Sequence, residues 1–163
     1  NLSMPSKIIK DGVIVDDQWL LLPQDTTDIP EGPIIVPLSL WESKKDILAG
    51  REALGVWLDS DEPPEHIASA LENFDLVAIN FPVFVDGRGF SYGRDLREKY
   101  HYQGEVRAIG EFIRDQLFFL QRCGFNAYAL SGAELESALD TFKDFSDSYQ
   151  AAIDQPEPYF RRH

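Results

Sequence analysis

The residues best suited to chemistry in this sequence form one short segment, Asp86-Gly87-Arg88-Gly89-Phe90-Ser91. Glycines allow the backbone to turn tightly and to approach a ligand closely. Arg88 is a permanent, forked cation, and the backbone N–H groups at the start of a following helix favour an anion. The residues from Arg88 through Gly89 and Phe90 to Ser91 are therefore predicted to bind a small oxyanion such as sulfite, sulfate, phosphate or a carboxylate.

A purely structural role for the same segment stays open. Asp86 and Ser91 could cap a turn and a helix, and Arg88 could pair with a neighbouring acid. The segment does not match a phosphate-binding P-loop, because no Gly-Lys-Ser/Thr follows it. It also lacks the GxGxxG spacing of a dinucleotide-binding fingerprint.

Four residues are candidates for a catalytic role: Asp86, Arg107, Asp115 and Gln116. Arg107 lies inside a predicted strand, where a buried charge needs a partner. Glu105, Asp115 or a bound anion could be that partner, and a structural ion pair is the favoured interpretation. Asp115 and Gln116 lie one turn into a predicted helix, so they could face the cleft at the strand ends.

The composition disfavours several classes of partner and cofactor. The formal net charge is -13, from 28 acidic and 15 basic side chains, so nucleic acid and anionic membranes are unfavourable partners. The single cysteine, Cys123, cannot form an internal disulfide or hold an iron–sulfur cluster alone. The histidines show no metal-binding spacing, so the sequence predicts no metal and no cofactor. No run of residues is long and apolar enough for a membrane span, which predicts a cytoplasmic protein.

The order of apolar runs predicts an α/β fold with an N-terminal β-hairpin. Asp11-Gly12 separates two β-branched runs, which is typical of a hairpin. Residues 19–33 are predicted to be loop, and a brief helix is predicted at about 40–49. Four strand–helix units then follow, with strands predicted at 54–58, 76–81, 105–109 and 126–130 and with Ser131 as the predicted cap of the last helix. Such a repeat predicts parallel strands, whose carboxyl ends carry ligand sites. A half-barrel and an open, flavodoxin-like sheet are both consistent with this repeat of strand–helix units.

The domain prediction is a single α/β domain over residues 4–154. Residues 1–3 precede the only methionine, Met4, and we interpret them as a remnant of cloning. Residues 155–163 contain two prolines and are predicted to form a loose C-terminal tail.

Motifs along most of the chain resemble one bacterial family. They include Asp86-Gly87-Arg88-Gly89-Phe90-Ser91, Leu96-Arg97, Asp115-Gln116 and Arg122-Cys123-Gly124-Phe125. The sequence is similar to the bacterial domain-of-unknown-function family nine-three-four, whose members are labelled as oxidoreductases involved in sulfite reduction.

This resemblance implies a place in sulfur metabolism, within sulfate assimilation and cysteine biosynthesis. It assigns no mechanism, so it transfers no catalytic residues. Sulfite reduction needs sirohaem and an iron–sulfur cluster, which one cysteine cannot hold. The expectation is an accessory protein that binds a small oxyanion or a partner, either sulfite reductase or another sulfate-assimilation protein. The alternative is a small oxidoreductase, or another enzyme of sulfur metabolism, that uses a strand-end cleft around the Asp86-Gly87-Arg88-Gly89 loop.

Overall fold

The computed structural model describes residues 6–82, 87–110 and 116–129 of the chain. The strands are Ser6–Lys10 (β1), Val13–Asp17 (β2), Leu20–Leu21 (β3), Ile34–Pro37 (β4), Leu54–Leu58 (β5), Leu76–Phe81 (β6), Glu105–Gly110 (β7) and Ala127–Tyr128 (β8). The α-helices are Leu38–Ser43 (α1), Lys45–Leu48 (α2), Arg88–Arg94 (α3) and Leu117–Arg122 (α4). A 3₁₀ helix spans Pro64–Asn73, and α3 continues without interruption into a π-helical turn at Asp95–Lys99.

The strands form one sheet in the order β2-β1-β8-β7-β6-β5-β4-β3. From β3 to β8 each strand pairs in parallel with the next strand along the chain. A doubly wound sheet would reverse its order at a switch point. The consecutive order curls the sheet into a half-barrel, and it confirms the predicted parallel arrangement of β5 to β8.

The N-terminal hairpin extends the half-barrel beyond β8. β1 pairs antiparallel with β2 and also with β8. Asp11 and Gly12 have φ angles of 54° and 85°, the left-handed conformation that a two-residue hairpin turn requires. Asp11 N donates to Asn126 O at 2.9 Å, and Asn126 Nδ2 donates to Asp11 Oδ1 at 3.2 Å. The predicted hairpin is confirmed, and its turn is tied to the chain just before β8.

Both faces of the central strands are buried. The connecting helices pack on one face of the sheet, the convex face of the half-barrel. That face carries the larger apolar cluster, in which strand residues such as Val56 and Ile79 pack with Ile67 and Leu120. The concave face carries a smaller cluster formed by Ile35, Trp57, Leu76, Ala78 and Ile109. This double burial explains why the strands read as continuous apolar runs.

Some predicted elements differ from the structure in length or type. The segment after β5 was expected to be an α-helix, but Pro64, Ile67 and Ala70 recur every three residues, which suits the 3₁₀ helix that forms. The helix expected near residues 40–49 is split at Lys44, where φ is -127°. β3 lies in a stretch that was predicted to be loop.

Several predictions concern residues outside the described ranges. They are the residues before Met4, the last helix expected after Ser131, and the tail from residue 155. Among the described residues, no helix is long and apolar enough to cross a membrane.

Candidate functional site

Polar side chains meet where β5 and β6 end at the carboxyl edge of the sheet. Asn80 is the one polar residue of β6, and its Nδ2 donates to Asp59 Oδ1 at 2.9 Å. Asp59 Oδ1 also accepts from Ser60 N at 2.9 Å, while Asp59 N donates to Glu62 Oε1 at 2.8 Å. These hydrogen bonds fix the position of Asp59. We call Asp59, Glu62 and Asn80 the carboxyl-edge cluster.

The surroundings of Glu62 in the carboxyl-edge cluster raise the pKa of its carboxyl group. Partial burial raises the pKa of Glu62 above its ordinary value, and the nearby Asp61 and Asp59 raise it further. The hydrogen bond from Asp59 N and the nearby His66 act in the opposite direction and lower that pKa. Carboxyl groups with raised pKa values at strand ends are typical of functional sites, although ion networks also produce them.

Residues of two further elements, α3 and β7, contact this edge of the sheet. Tyr92 Oη, from α3, donates to Ser60 O at 2.7 Å and so ties the helix to the loop after β5. Gly110, at the end of β7, has a φ of 92°, and a Cβ there would lie 2.4 Å from Asn80 Oδ1. Only glycine allows β7 to end against Asn80 in this way.

The segment predicted to bind an oxyanion begins α3, on the same edge. Arg88 and Ser91 are exposed to solvent, and the first turn of α3 contains no acidic residue. Gly87 forms the N-cap and provides no side-chain hydrogen bond.

The other two residues of this segment pack inward. Gly89 is buried, and a Cβ there would lie 2.6 Å from Phe81 Cε2. The Phe90 ring contacts the rings of Phe81 and Phe119 at centroid distances of 5.2 and 4.9 Å. The exposed side chains among the four residues of this segment are therefore those of Arg88 and Ser91.

Arg107 lies away from this turn, buried on the concave face. Its Nε donates to Glu105 Oε2 at 2.8 Å and its Nη1 donates to Asp17 Oδ1 at 3.1 Å. Lys10 Nζ lies 3.3 Å from Glu105 Oε1 and completes a balanced network of two cations and two carboxylates. The favoured structural ion pair is present, and Glu105 is one of the partners that the sequence left open, whereas Asp17 was not foreseen as a partner. Two carboxylates at this distance oppose the binding of a further anion.

The remaining catalytic candidates are Asp86, Asp115 and Gln116. Asp86 and Asp115 lie outside the described residues. Gln116 is half-buried immediately before α4. Among the residues described, no three His, Cys, Asp or Glu side chains come together as a metal site.

The family model described as bacterial protein of unknown function (DUF934) matches residues 55–160 of the chain. The chain belongs to this family. The DUF934 region begins within β5 and includes the carboxyl-edge cluster and α3, whereas the N-terminal hairpin lies before it. A comparison with curated protein sequences finds no match.

Sequence reasoning missed Asn80 and Tyr92 as parts of the DUF934 carboxyl edge. Asn80 could have been found, because it is an amide within the otherwise apolar strand Leu76–Phe81. Tyr92 gave no such signal. Its hydroxyl reaches a backbone carbonyl far away in the sequence, and local spacing does not report that contact.

Proposed function

We propose that this chain is an accessory protein of the sulfite-reduction system that binds a small oxyanion at the start of α3. One observation carries the binding proposal: Arg88 is exposed in a helical first turn that has no acidic residue and no side-chain cap. Backbone N–H groups at such a turn and a guanidinium fork are both suited to oxyanions. The sulfite-reduction context rests on the family resemblance.

The high negative charge of the chain bears on this proposal. With a net charge of -13, the protein as a whole repels anions, so long-range attraction does not assist binding. Short-range, charge-assisted hydrogen bonds at Arg88 must supply the affinity. We therefore expect modest binding that depends strongly on this one side chain.

Calorimetric titration with sulfite and with sulfate tests the site. Replacing Arg88 with Ala should weaken binding by about tenfold or more, because a charge-assisted hydrogen bond contributes about 1.5–3 kcal/mol. Lys99→Ala is the matched control, since it removes one charge from the far end of the same helical segment. Unchanged anion binding in Arg88→Ala, together with a large fall in its melting temperature, would show that Arg88 serves the fold instead.

A second experiment tests the accessory role. We expect the protein to form a complex with purified sulfite reductase that sedimentation velocity detects. We also expect it to release no sulfide when it is supplied with sulfite and reduced methyl viologen. Absence of a complex with sulfite reductase, and with other sulfate-assimilation proteins, would contradict the accessory role.

The carboxyl-edge cluster favours a second candidate function, a small enzyme of sulfur metabolism. Asp59 is held by Asn80, and the neighbouring Glu62 has a raised pKa, an arrangement that suits proton transfer. As an oxidoreductase, such an enzyme would take its electrons from a partner. Sulfide release in the methyl viologen assay that is lost in Asp59→Asn would favour this candidate over the accessory role.

A further inference from the structure

The last strand at one side of the sheet, β3, exposes apolar side chains and backbone hydrogen-bonding groups. Leu20 and Leu21 are 46% and 45% exposed. Leu20 N donates to Pro33 O at 3.0 Å and Leu22 N donates to Ile35 O at 2.9 Å, both toward β4. Backbone groups alternate in direction along a strand, so Leu21 N and Leu21 O point away from β4. No residue that the structure describes pairs with these two groups.

The chain that returns from β3 to β4 leaves this edge open. Leu22 is buried and Ile29 is partly buried in the larger apolar cluster, on the face that carries the helices. Trp57 Nε1 donates to Leu22 O at 2.8 Å and fixes the carboxyl end of the strand. The fold therefore holds β3 from within. A preformed edge of this kind loses little conformational freedom when a partner strand pairs with it.

The two ends of β3 lie near exposed carboxylates. The sequence has no Lys, Arg or His between Lys10 and Lys44. Asp25 lies in the turn just after β3, and Glu31 precedes Pro33, whose carbonyl oxygen pairs with the first residue of β3. Both acids are exposed, and neither forms an ion pair within the described part of the chain. A segment that lies along β3 therefore has a carboxylate near each of its ends.

The two ends are not equally acidic. Arg51 Nη2 donates to Pro30 O and to Gly32 O, at 2.8 Å each, so a cation lies beside the Glu31 end. This cation offsets part of the negative charge there. We therefore expect Asp25 to contribute more than Glu31 to the attraction of a cationic partner.

The opposite edge of the sheet, β2, is protected in a way that β3 is not. Charged side chains on an edge strand discourage pairing with another chain. β2 ends in Asp16 and Asp17, and Lys7 of the neighbouring strand pairs with Asp16. Residues 18–24, which include β3, carry no charge. Short length is the one protective feature that β3 shares with other edge strands.

We propose that β3 binds an extended protein segment that is apolar at its centre and basic at both ends. The segment adds a strand to the sheet, pairing with Leu21 N and Leu21 O. Its apolar side chains pack on Leu20 and Leu21, and its cations interact with Asp25 and Glu31. A second copy of the chain is disfavoured as the occupant, because it would bring the same carboxylates to the contact. The proposal goes beyond the proposed function, since it needs neither Arg88 nor an oxyanion.

Fluorescence anisotropy with labelled synthetic peptides tests the proposal. The probe carries a pair of Lys on each side of a central Thr-Val-Ile-Thr. In a second peptide Glu replaces every Lys, and in a third Pro-Pro replaces Val-Ile, which removes the backbone N–H groups needed for pairing. We expect the full-length protein to bind the first peptide, to ignore the second, and to bind the third at least about tenfold less tightly. Added NaCl should weaken binding of the first peptide.

Variants of the protein locate the bound peptide. Leu20→Ser should weaken binding by about tenfold, because it removes apolar contact beside the pairing groups. Asp25→Asn should weaken binding and reduce its salt dependence, and Glu31→Gln should do so to a smaller extent. All three variants should melt close to the wild-type temperature, because the altered side chains reach solvent.

Matched controls separate this edge from general effects. Val13→Ser removes another apolar side chain, 56% exposed on β2, and Glu72→Gln removes another exposed acid. Both should bind the first peptide like the wild type.

Four outcomes would overturn the proposal. The first is absence of peptide binding by the wild type. The second is equally tight binding of the Pro-Pro peptide, because the contact would then be electrostatic without an added strand. The third is an equal loss of binding in Val13→Ser or Glu72→Gln. The fourth is a dimer, seen by sedimentation velocity, that Leu20→Ser dissociates. Sulfite titration of Leu20→Ser should match the wild type, so failure of the β3 proposal and failure of the oxyanion site remain distinguishable.

Discussion

Arg97 shows how a single charged residue can hold several loops together. It is 1% exposed, and its guanidinium donates to four neutral oxygens: Gly124 O, Tyr102 O, Gly104 O and Asn126 Oδ1. These acceptors lie at the amino ends of β7 and β8, opposite the carboxyl-edge cluster. Residues at this end of a β/α barrel generally serve stability.

Replacing Arg97 should therefore destabilise the protein strongly. Arg97→Ala leaves buried carbonyl groups without donors, and we expect the free energy of unfolding to fall by about 3–5 kcal/mol. Urea denaturation followed by circular dichroism measures the change. Lys99→Ala, two residues away and exposed, should change stability by no more than about 0.5 kcal/mol. A comparably small loss in Arg97→Ala would contradict this role.

The sequence does not indicate that Arg97 has this structural role. Arg97 follows Leu96 in a segment that was predicted to be a helix, where Arg94 and Lys99 are also present. Nothing in the spacing separates the buried arginine from the exposed cations. Its acceptors belong to loops around residues 102–104 and 124–126, and their convergence is a tertiary property. Arg107 was easier to interpret, because a charge within an apolar strand demands a partner and Glu105 lies two residues away.

At the scale of elements, the glycines of the Asp86–Gly89 segment have different roles. Gly87 has an ordinary φ of -72°, and a Cβ there would meet no atom of the described residues within 4 Å. A Cβ on Gly89 would lie 2.6 Å from the Phe81 ring, so Gly89 lets α3 approach β6. The glycines of this segment were predicted to let the backbone approach a ligand closely. At Gly89 the backbone instead approaches the Phe81 ring in the core.

This difference predicts opposite results for two neighbouring substitutions. Gly89→Ala should lower the free energy of unfolding by about 1–3 kcal/mol, because the new methyl group overpacks against Phe81. Gly87→Ala should be neutral or slightly stabilising, because the backbone already has a conformation that alanine adopts readily. Thermal melting of both variants provides the comparison. Equal destabilisation by the two substitutions would rule out the packing explanation.

The elements that were predicted well are those whose burial leaves a local pattern. β5, β6 and β7 are buried on both faces, and their apolar runs mark them within about one residue. β3 has only two residues, both exposed to solvent by slightly less than half, so neither alternation nor an apolar run marks it. The 3₁₀ helix keeps Ile67 buried as expected, but a period of three and a period of 3.6 are hard to separate over ten residues.

At the scale of the whole molecule, the strand order could not be chosen from the repeat of strands and helices. A half-barrel and a doubly wound sheet share that repeat, and they differ in which strands become neighbours. Here β7 pairs with β8, and β8 then pairs with β1 of the hairpin. The cross-links at Asp11 and Asn126 join residues that are 115 positions apart in the chain. Such contacts leave no periodic signal.

Net charge is a property of the whole molecule that the sequence does report directly. With a charge of -13, repulsion among carboxylates destabilises the folded state at low ionic strength. Salt shortens the range of this repulsion to about 10 Å at 0.1 M. Exposed pairs such as Lys7–Asp16 lose some attraction on screening, but surface pairs contribute little. We therefore expect added NaCl to raise the melting temperature.

Comparing melting temperatures in sulfate and in NaCl at the same ionic strength separates this effect of net charge from binding at the proposed oxyanion site. Both salts screen the repulsion, and sulfate further stabilises any protein through exclusion from its surface. A bound sulfate adds a third stabilisation, which grows with the ratio of its concentration to its dissociation constant. Calorimetric melting should therefore show a larger difference between sulfate and chloride in the wild type than in Arg88→Ala. Lys99→Ala removes the same unit of charge and should keep the wild-type difference. If Arg88→Ala also keeps it, sulfate acts only by screening and exclusion, and the start of α3 is not an anion site.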